Sequence, residues 1–158
     1  MDFLWSPWRY DYIASAGAVP PSCVFCLGEP EGDADRLVVY RGTHNFVILN
    51  LFPYTSGHFM VAPYAHMAKL DDAPPVQMAE MMELAQRGLG ALRKLYKPEG
   101  FNIGMNLGHC AGAGIREHFH LHVVPRWTGD ANYMTITGET RVLPEDLKVT
   151  YRRMREVF

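Results

Sequence analysis

The segment "EHFHLHVVPRW" at positions 117–127 places three histidines, His118, His120 and His122, at alternate positions. Alternate residues of a strand point to one side of the sheet, so the three imidazoles are expected to form a row with neighbouring rings roughly 6–7 Å apart. A buried row is costly unless each ring has a partner, which disfavours a chance arrangement of unrelated histidines. Two uses remain open: a zinc site, because His-x-His on a strand can supply two ligands, or a nucleophilic imidazole with supporting neighbours.

A glycine-rich loop, "GHCAGAG" at 108–114, directly precedes the histidine row. Backbone N–H groups of such small loops can surround an anion. The loop and the row together favour a phosphate held beside a nucleophilic imidazole. Arg126, just beyond the row, either adds positive charge to that site or forms a surface salt bridge.

Two of the three cysteines, Cys23 and Cys26, form the pair "CVFC". In a reducing compartment such a pair indicates metal binding or redox chemistry more than a structural disulfide. The redox interpretation is weaker, because no strand–helix pattern follows the pair. Two reduced thiols packed as small apolar groups are the remaining alternative.

Hydrophobic patterning predicts an α+β fold with a mostly antiparallel sheet of five to six strands, one long helix and a C-terminal helix. The strands are predicted at 36–42, 45–50, 58–63, 101–109 and 118–126, with a short one at 131–138. The helices are predicted at 71–96 and 143–158.

The length and charge of the chain limit the number of domains and the kinds of partner that we expect. Its 158 residues fit a single domain over 1–158, with an N-terminal arm and Cys-x-x-Cys loop at about 1–35. A net charge of −2 argues against nucleic acid as a partner. No apolar run is long enough for a signal peptide or a membrane span, so we expect a cytoplasmic protein with no membrane partner.

The run His118-Phe-His120-Leu-His122-Val-Val resembles the signature of the histidine triad (HIT) family. The resemblance extends to "NFVILNLFPYTSGHFMVAPYAH", to "NLGHCAGAG" and to "VVPRWTGDANYMTI", and covers roughly residues 35–137. It is greatest to the bacterial branch of diadenosine tetraphosphate phosphorylases, which is related to the fragile histidine triad hydrolases.

This resemblance implies that His120 attacks the α-phosphorus of a dinucleoside polyphosphate or nucleotide conjugate and forms a nucleotidyl-histidine, which water or phosphate then cleaves. His122 would donate to the phosphate, and His118 would complete the catalytic row. Asn50 would hold the ribose hydroxyls, although a strand-end cap is its alternative role. The phosphate contacts are implied for Asn106, Gly112, Ala113 and Gly114. Relatives often carry Ser, Thr or Gln in this loop, so contacts from Ala113 and Gly114 must come from backbone N–H groups.

The resemblance also implies a structural zinc bound by Cys23, Cys26, His66 and His118, with no organic cofactor, and a homodimer. His58 serves either as active-site support or as structure. Three readings of the function remain: a hydrolase or nucleotidyltransferase, including a phosphorylase that uses phosphate as second acceptor; an enzyme with a catalytic zinc on the histidine row; and a nucleotide-binding protein with little turnover.

Overall fold

Five antiparallel strands form one sheet in the computed structural model, which describes residues 23–130 and 145–158. The strands are β1 (Val38–Arg41), β2 (Asn45–Leu49), β3 (Phe59–Pro63), β4 (Gly100–Gly104) and β5 (Leu121–Arg126), in the spatial order β1-β2-β3-β5-β4. The predicted fold class is therefore confirmed. The predicted N-terminal arm up to residue 22 and the predicted strand at 131–138 lie outside the described residues.

Within residues 23–130 and 145–158, three α-helices accompany the sheet: α1 (Asp33–Arg36), α2 (Pro75–Tyr96) and α3 (Leu147–Val157). Helix α2 begins later than predicted, because Leu70–Asp72 forms a separate 3-10 turn and Pro75 occupies the first helical turn, where its missing N–H is not needed. The predicted loop up to about residue 35 was also too long, since α1 begins at Asp33. No helix in the described ranges is both long enough and apolar enough to cross a membrane.

The turn between β1 and β2 is fastened to α2 by Glu80. Its carboxylate accepts hydrogen bonds from the backbone N–H groups of Thr43 at 2.6 Å, His44 at 2.7 Å and Asn45 at 2.8 Å, and from the Asn45 amide at 2.8 Å. Burial by itself would raise the pKa of Glu80, but these donors outweigh it and lower the pKa. The predicted hairpin is thus present and is anchored to the helix by one ionised side chain.

The two faces of the sheet are covered differently. One face packs against α2 and α3 in the main core, where a Cβ added at Gly88 of α2 would lie 2.2 Å from Cζ of Phe59 in β3. The other face carries a smaller apolar cluster made of Phe25, Val38, Phe46, Ile48, Met60 and Ala62. Phe25 comes from the Cys-x-x-Cys segment, so this segment covers the second face of the sheet.

All five strands are shorter than predicted, and β5 and β4 are the two that lead into or out of the histidine segment and the glycine-rich loop. Strand β5 begins at Leu121 rather than at residue 118, because in the β3–β5 register the position opposite Phe119 is Pro63, which has no N–H for the ladder. Phe119 donates its N–H to the Met67 carbonyl instead, at 2.9 Å. Strand β4 ends at Gly104 rather than at the predicted residue 109, and the chain continues from Gly104 into the glycine-rich loop.

Candidate active site

His118 presents one ring nitrogen to the two cysteines. Its Nε2 lies 2.8 Å from the Pro63 carbonyl oxygen, which can only accept, so the proton is on Nε2 and the lone pair is on Nδ1. That Nδ1 lies 3.4 Å from Sγ of Cys23 and 4.0 Å from Sγ of Cys26. Burial is the main cause that lowers the pKa of His118, which keeps this lone pair available.

The donor atoms around His118 fit a tetrahedral metal. Nδ1 of His66 lies 3.3 Å from Sγ of Cys26, and the four ligand atoms of Cys23, Cys26, His66 and His118 all lie within 4.8 Å of one another. Zinc bonds of about 2.3 Å to sulfur and about 2.0–2.1 Å to nitrogen place such ligands about 3.5 Å apart in a tetrahedron. The observed spacing and the soft donor set both suit Zn²⁺.

His120 is oriented by the backbone of its own segment. Its Nδ1–H donates to the His118 carbonyl at 2.9 Å, which leaves the lone pair on Nε2. The side chain is only 6% exposed, and this burial lowers its pKa. At neutral pH His120 is therefore an uncharged imidazole with a free lone pair, the form that can attack an electrophile.

A chain of hydrogen bonds fixes the proton of His122. The backbone N–H of Tyr54 donates to Nδ1 of His58 at 3.1 Å, so the His58 proton is on Nε2. That Nε2–H donates to Nδ1 of His122 at 3.0 Å, and the His122 proton is then on Nε2. Burial, followed by the neighbouring His120, lowers the pKa of His122 to about 4. His122 is thus a neutral hydrogen-bond donor.

The three imidazoles do not form the evenly spaced row that strand geometry predicted. The rings of His120 and His122 lie 4.8 Å apart at 69°, closer than the expected spacing, since His120 precedes the regular strand. The residues that alternate with the histidines, Phe119, Leu121 and Val123, are buried in the main core as predicted.

His120 and His122 line a cavity of about 410 Å³ on the second face of the sheet. Its other polar lining includes the side chains of Asp35, Arg36, Asn50, Tyr54 and Asn106 and the backbone at Gly112 and Gly114. Its apolar lining includes Val24, Phe25, Leu37, Ile48, Phe52, Met60 and Ile115. A cavity of this size, with an apolar lining and a few convergent polar groups, is typical of a small-molecule site.

Some predicted site residues have structural roles as well. Asn50 Oδ1 accepts the Phe52 N–H at 2.9 Å, so Asn50 both caps the end of β2 and lines the cavity. Ala113 is buried and does not line the cavity, and its N–H donates to the Gly108 carbonyl at 3.2 Å. The N–H of Gly112 is also used inside the loop, donating to the His109 carbonyl at 3.0 Å.

Arg126 belongs to a surface ion pair. It donates to the carboxylate of Asp130 at 2.6 Å and to Oδ1 of Asn102 at 2.6 Å. It is not part of the cavity lining. Of the two roles left open by the sequence, the surface salt bridge is the one observed.

Three residues around the imidazoles were missed or left undecided by sequence reasoning. His58 contacts His122 directly, and the Tyr54 backbone sets the His58 tautomer. Phe25 packs on His120 with ring centroids 4.6 Å apart. The position of Phe25 between two cysteines was a signal that could have drawn attention to it, whereas no sequence pattern marks the Tyr54 N–H.

Comparisons with known proteins agree with this geometry. A family model described as the HIT domain matches residues 31–129. A relative from Mycobacterium tuberculosis named AP-4-A phosphorylase is 40% identical over 156 residues, covering 94% of this chain and 80% of that protein. An uncharacterized HIT-like protein of the same organism is 35% identical over 86% of this chain and 92% of its own length. The crystal structure of a Zn-bound histidine triad family protein from Mycobacterium smegmatis superposes with a TM-score of 0.69 at 34% identity, covering 86% of this chain and 92% of the other.

Proposed function

Because this chain belongs to the histidine triad family and is a nucleotide-processing enzyme of that family, we propose that it transfers a nucleotidyl group from a dinucleoside polyphosphate to His120 and then to inorganic phosphate. The observation that carries the proposal is the neutral His120 with its Nδ1–H on a carbonyl and its Nε2 free beside a cavity. The named activity of the mycobacterial relative favours phosphate over water as the second acceptor.

In the first step Nε2 of His120 forms a bond to the α-phosphorus, and the bond from that phosphorus to the bridging oxygen breaks. The electron pair leaves with the polyphosphate, which is ATP when the substrate is diadenosine tetraphosphate. The His118 carbonyl supports the positive charge that develops on the ring, because it already accepts the Nδ1–H. In the second step a phosphate oxygen displaces His120, giving ADP; water in its place would give AMP.

His122 has a supporting role in this proposal. Its Nε2–H, set by His58, is the donor for an oxygen of the α-phosphate, where negative charge grows in the transition state. His58 is a positioning residue, since it acts on the substrate through His122. We assign the remaining phosphate contacts to Asn106 and Gly114, both of which line the cavity.

The nucleoside is assigned to the apolar part of the cavity, with its ribose at Asn50. The amide oxygen of Asn50 has a second lone pair beyond the one used by Phe52, and its nitrogen is a donor, so the side chain can serve a diol. The base then lies among apolar side chains such as Ile48 and Phe25.

A structural zinc at Cys23, Cys26, His66 and His118 completes the proposal. When bound, it would tie the Cys-x-x-Cys segment to the segment that carries His120. A catalytic zinc on the histidine row is disfavoured because Nδ1 of His118 faces the two thiols, and because the bond from His58 leaves a proton rather than a lone pair on Nε2 of His122. A single imidazole, His120, then remains for the metal, which is too few for a catalytic zinc site.

We also propose a homodimer. Strand β4 forms one edge of the described sheet, and Ile103 on it is 43% exposed. An uncovered edge strand is a ready partner for a second copy. Light scattering at micromolar concentration tests this point: a mass twice that of the chain is expected, and a monomer contradicts it.

Product analysis tests the reaction. Wild-type protein should convert diadenosine tetraphosphate to ADP plus ATP only when phosphate is present, and His120→Ala should abolish the conversion. His44→Ala, a histidine at the β1–β2 turn outside the cavity, is the matched control and should keep full activity. Rapid quenching without phosphate should reveal protein carrying one AMP moiety.

The other outcomes separate the remaining readings. AMP plus ATP, with label from oxygen-18 water in the AMP, identifies a hydrolase. Nucleotide binding without any product identifies a binding protein. Activity that survives His120→Ala contradicts the covalent mechanism.

A further inference from the structure

The two residues between the candidate metal-binding cysteines form part of the nucleotide cavity. Val24 and Phe25 both line it, whereas the thiols of Cys23 and Cys26 face His66 and His118. The Cys26 N–H donates to the Cys23 carbonyl at 3.0 Å, which folds the four residues into one tight turn. A single turn therefore carries metal ligands on one side and cavity wall on the other.

Phe25 connects this turn to the proposed nucleophile. Its side chain is 2% exposed, and its ring lies 4.6 Å from the His120 ring and 5.4 Å from the His118 ring. Val24 is different: it also lines the cavity but is 52% exposed. Displacement of the turn would remove the ring that packs on His120 and would open the wall next to the substrate.

His118 gives a second connection. Its Nδ1 faces the thiols, while its carbonyl oxygen accepts the Nδ1–H of His120. A metal bound to Nδ1 would hold the residue whose backbone orients the proposed nucleophile. The imidazole that would bind the metal and the carbonyl that accepts from His120 thus belong to one residue.

The turn has little regular structure to hold it in place. Residues 23–28 lie in no helix or strand. In the described part of the chain, side chains attach the turn to the sheet: the thiols contact two histidines, and Phe25 packs into the smaller apolar cluster. Fixing such a segment costs conformational entropy, which a bound metal or a bound nucleotide can offset.

We infer that metal occupancy of the cysteine–histidine cluster and nucleotide occupancy of the cavity are positively coupled through Phe25. The metal holds the turn in the position that completes the cavity wall, and a nucleotide in the cavity holds Phe25 and with it the two thiols. Binding linkage is reciprocal, so each ligand must raise the affinity of the other by the same factor. The inference rests on the proposed function, because it takes a nucleotide as the cavity's ligand.

The experiment measures the coupling factor from both directions with AMP and Zn²⁺ as probes. Calorimetry gives the AMP affinity of zinc-loaded and zinc-free protein, and competition with a chromogenic chelator gives the zinc affinity with and without saturating AMP. We expect AMP to bind at least about fivefold more tightly to the loaded protein, and AMP to tighten zinc by the same factor. If the zinc-free form unfolds, any ligand of the folded protein tightens zinc, and Phe25→Ala then decides between a local route and global folding.

Three variants locate the route of the coupling. Phe25→Ala should reduce the factor to near one while the protein still binds zinc. Leu51→Ala removes a cavity contact outside the apolar cluster that contains Phe25, so it should weaken AMP in both zinc states and leave the factor unchanged. Cys23→Ser with Cys26→Ser should bind AMP as weakly with zinc as without it.

The failures are distinguishable. Equal AMP affinity in both zinc states, with no effect of AMP on zinc, refutes the coupling but leaves the proposed reaction intact. Full coupling in Phe25→Ala refutes the route through that ring. AMP binding to neither form refutes the nucleotide cavity, and the coupling falls with it.

Discussion

Replacing His58 tests whether the hydrogen-bond chain sets the proton of His122. In His58→Phe the ring remains but the Nε2–H that faces Nδ1 of His122 is lost. His58 is 1% exposed, so water does not readily replace the missing donor. The proton of His122 is then free to move to Nδ1, which removes the donor proposed to face the phosphate.

The size of the effect follows from the cost of an unsatisfied buried acceptor. Leaving such a group without its partner costs about 1–3 kcal/mol. Since about 1.4 kcal/mol corresponds to a tenfold change in rate, kcat/KM should fall by about 5- to 150-fold. His58→Gln is the matched control: its side-chain amide can still donate to His122, so it should retain most of the lost activity.

Nitrogen-15 NMR reports the protonation of His122, and thermal unfolding reports stability, so the two effects are measured separately. Nitrogen-15 NMR of the wild type should show His122 protonated on Nε2, with a pKa of about 4. In His58→Phe the pKa of His122 should rise, because protonation no longer brings two N–H groups face to face. Thermal unfolding of each variant verifies that the fold persists.

A His58→Phe protein that remains folded and keeps kcat/KM within about twofold of wild type contradicts the role of the His58 donor. A glutamine variant that loses as much activity as the phenylalanine variant contradicts it equally, since the donor would then be irrelevant. A His122 tautomer that is the same in both variants would show that other contacts fix the ring.

Three further outcomes are expected. Protonation of His122 should not reduce kcat/KM between pH 8 and pH 6. A histidine with a pKa of about 4 is only about 1% protonated at pH 6, whereas one with the ordinary pKa of 6.5 would be about three-quarters protonated. A several-fold loss of activity that NMR assigns to protonation of His122 contradicts this expectation. Glu80→Gln should lower the free energy of unfolding at pH 7 by about 1–3 kcal/mol, while substitution of the exposed Glu83 by Gln should not. Because the pKa of Glu80 is depressed in the folded state, its stabilisation is present above the unfolded-state pKa and is lost as pH falls through the folded-state pKa. The acid denaturation curves of the two variants should therefore converge at low pH. In urea unfolding, Gly88→Ala should destabilise the protein by about 1–3 kcal/mol, because the added Cβ meets the buried Phe59 ring. Gly90→Ala, where an added Cβ has no atom within 4 Å, should instead stabilise the protein by up to about 1 kcal/mol. Equal effects of the two substitutions contradict the close packing of α2 on β3 at Gly88.

Local sequence determined much of this protein. Alternation of apolar and polar residues was enough to predict the antiparallel sheet, the long helix α2 and the burial of Phe119, Leu121 and Val123, because these features depend on period and propensity. The spacing of His118, His120 and His122 was enough to identify the family. The pair Cys23 and Cys26 was enough to suggest a metal site.

Strand ends depended on partners that the local pattern does not contain. Periodicity alone extended the last strand to residue 118, but β5 begins at Leu121 because the opposing residue in β3 is Pro63. The same proline then supplies the carbonyl that receives Nε2–H of His118. One residue on a distant segment thus ended a strand and set the tautomer of a histidine.

Tertiary structure decided how the histidines differ. A row of three identical imidazoles carries no information about which nitrogen holds the proton, since that depends on the group facing each ring. Nδ1 of His118 faces a thiol 95 residues away in the chain, Nδ1 of His120 faces a backbone carbonyl, and Nδ1 of His122 faces His58, 64 residues away. The sequence by itself placed three histidines side by side, and only the fold gave each ring a different partner, because hydrogen-bond partners are set by position in space and not by spacing along the chain.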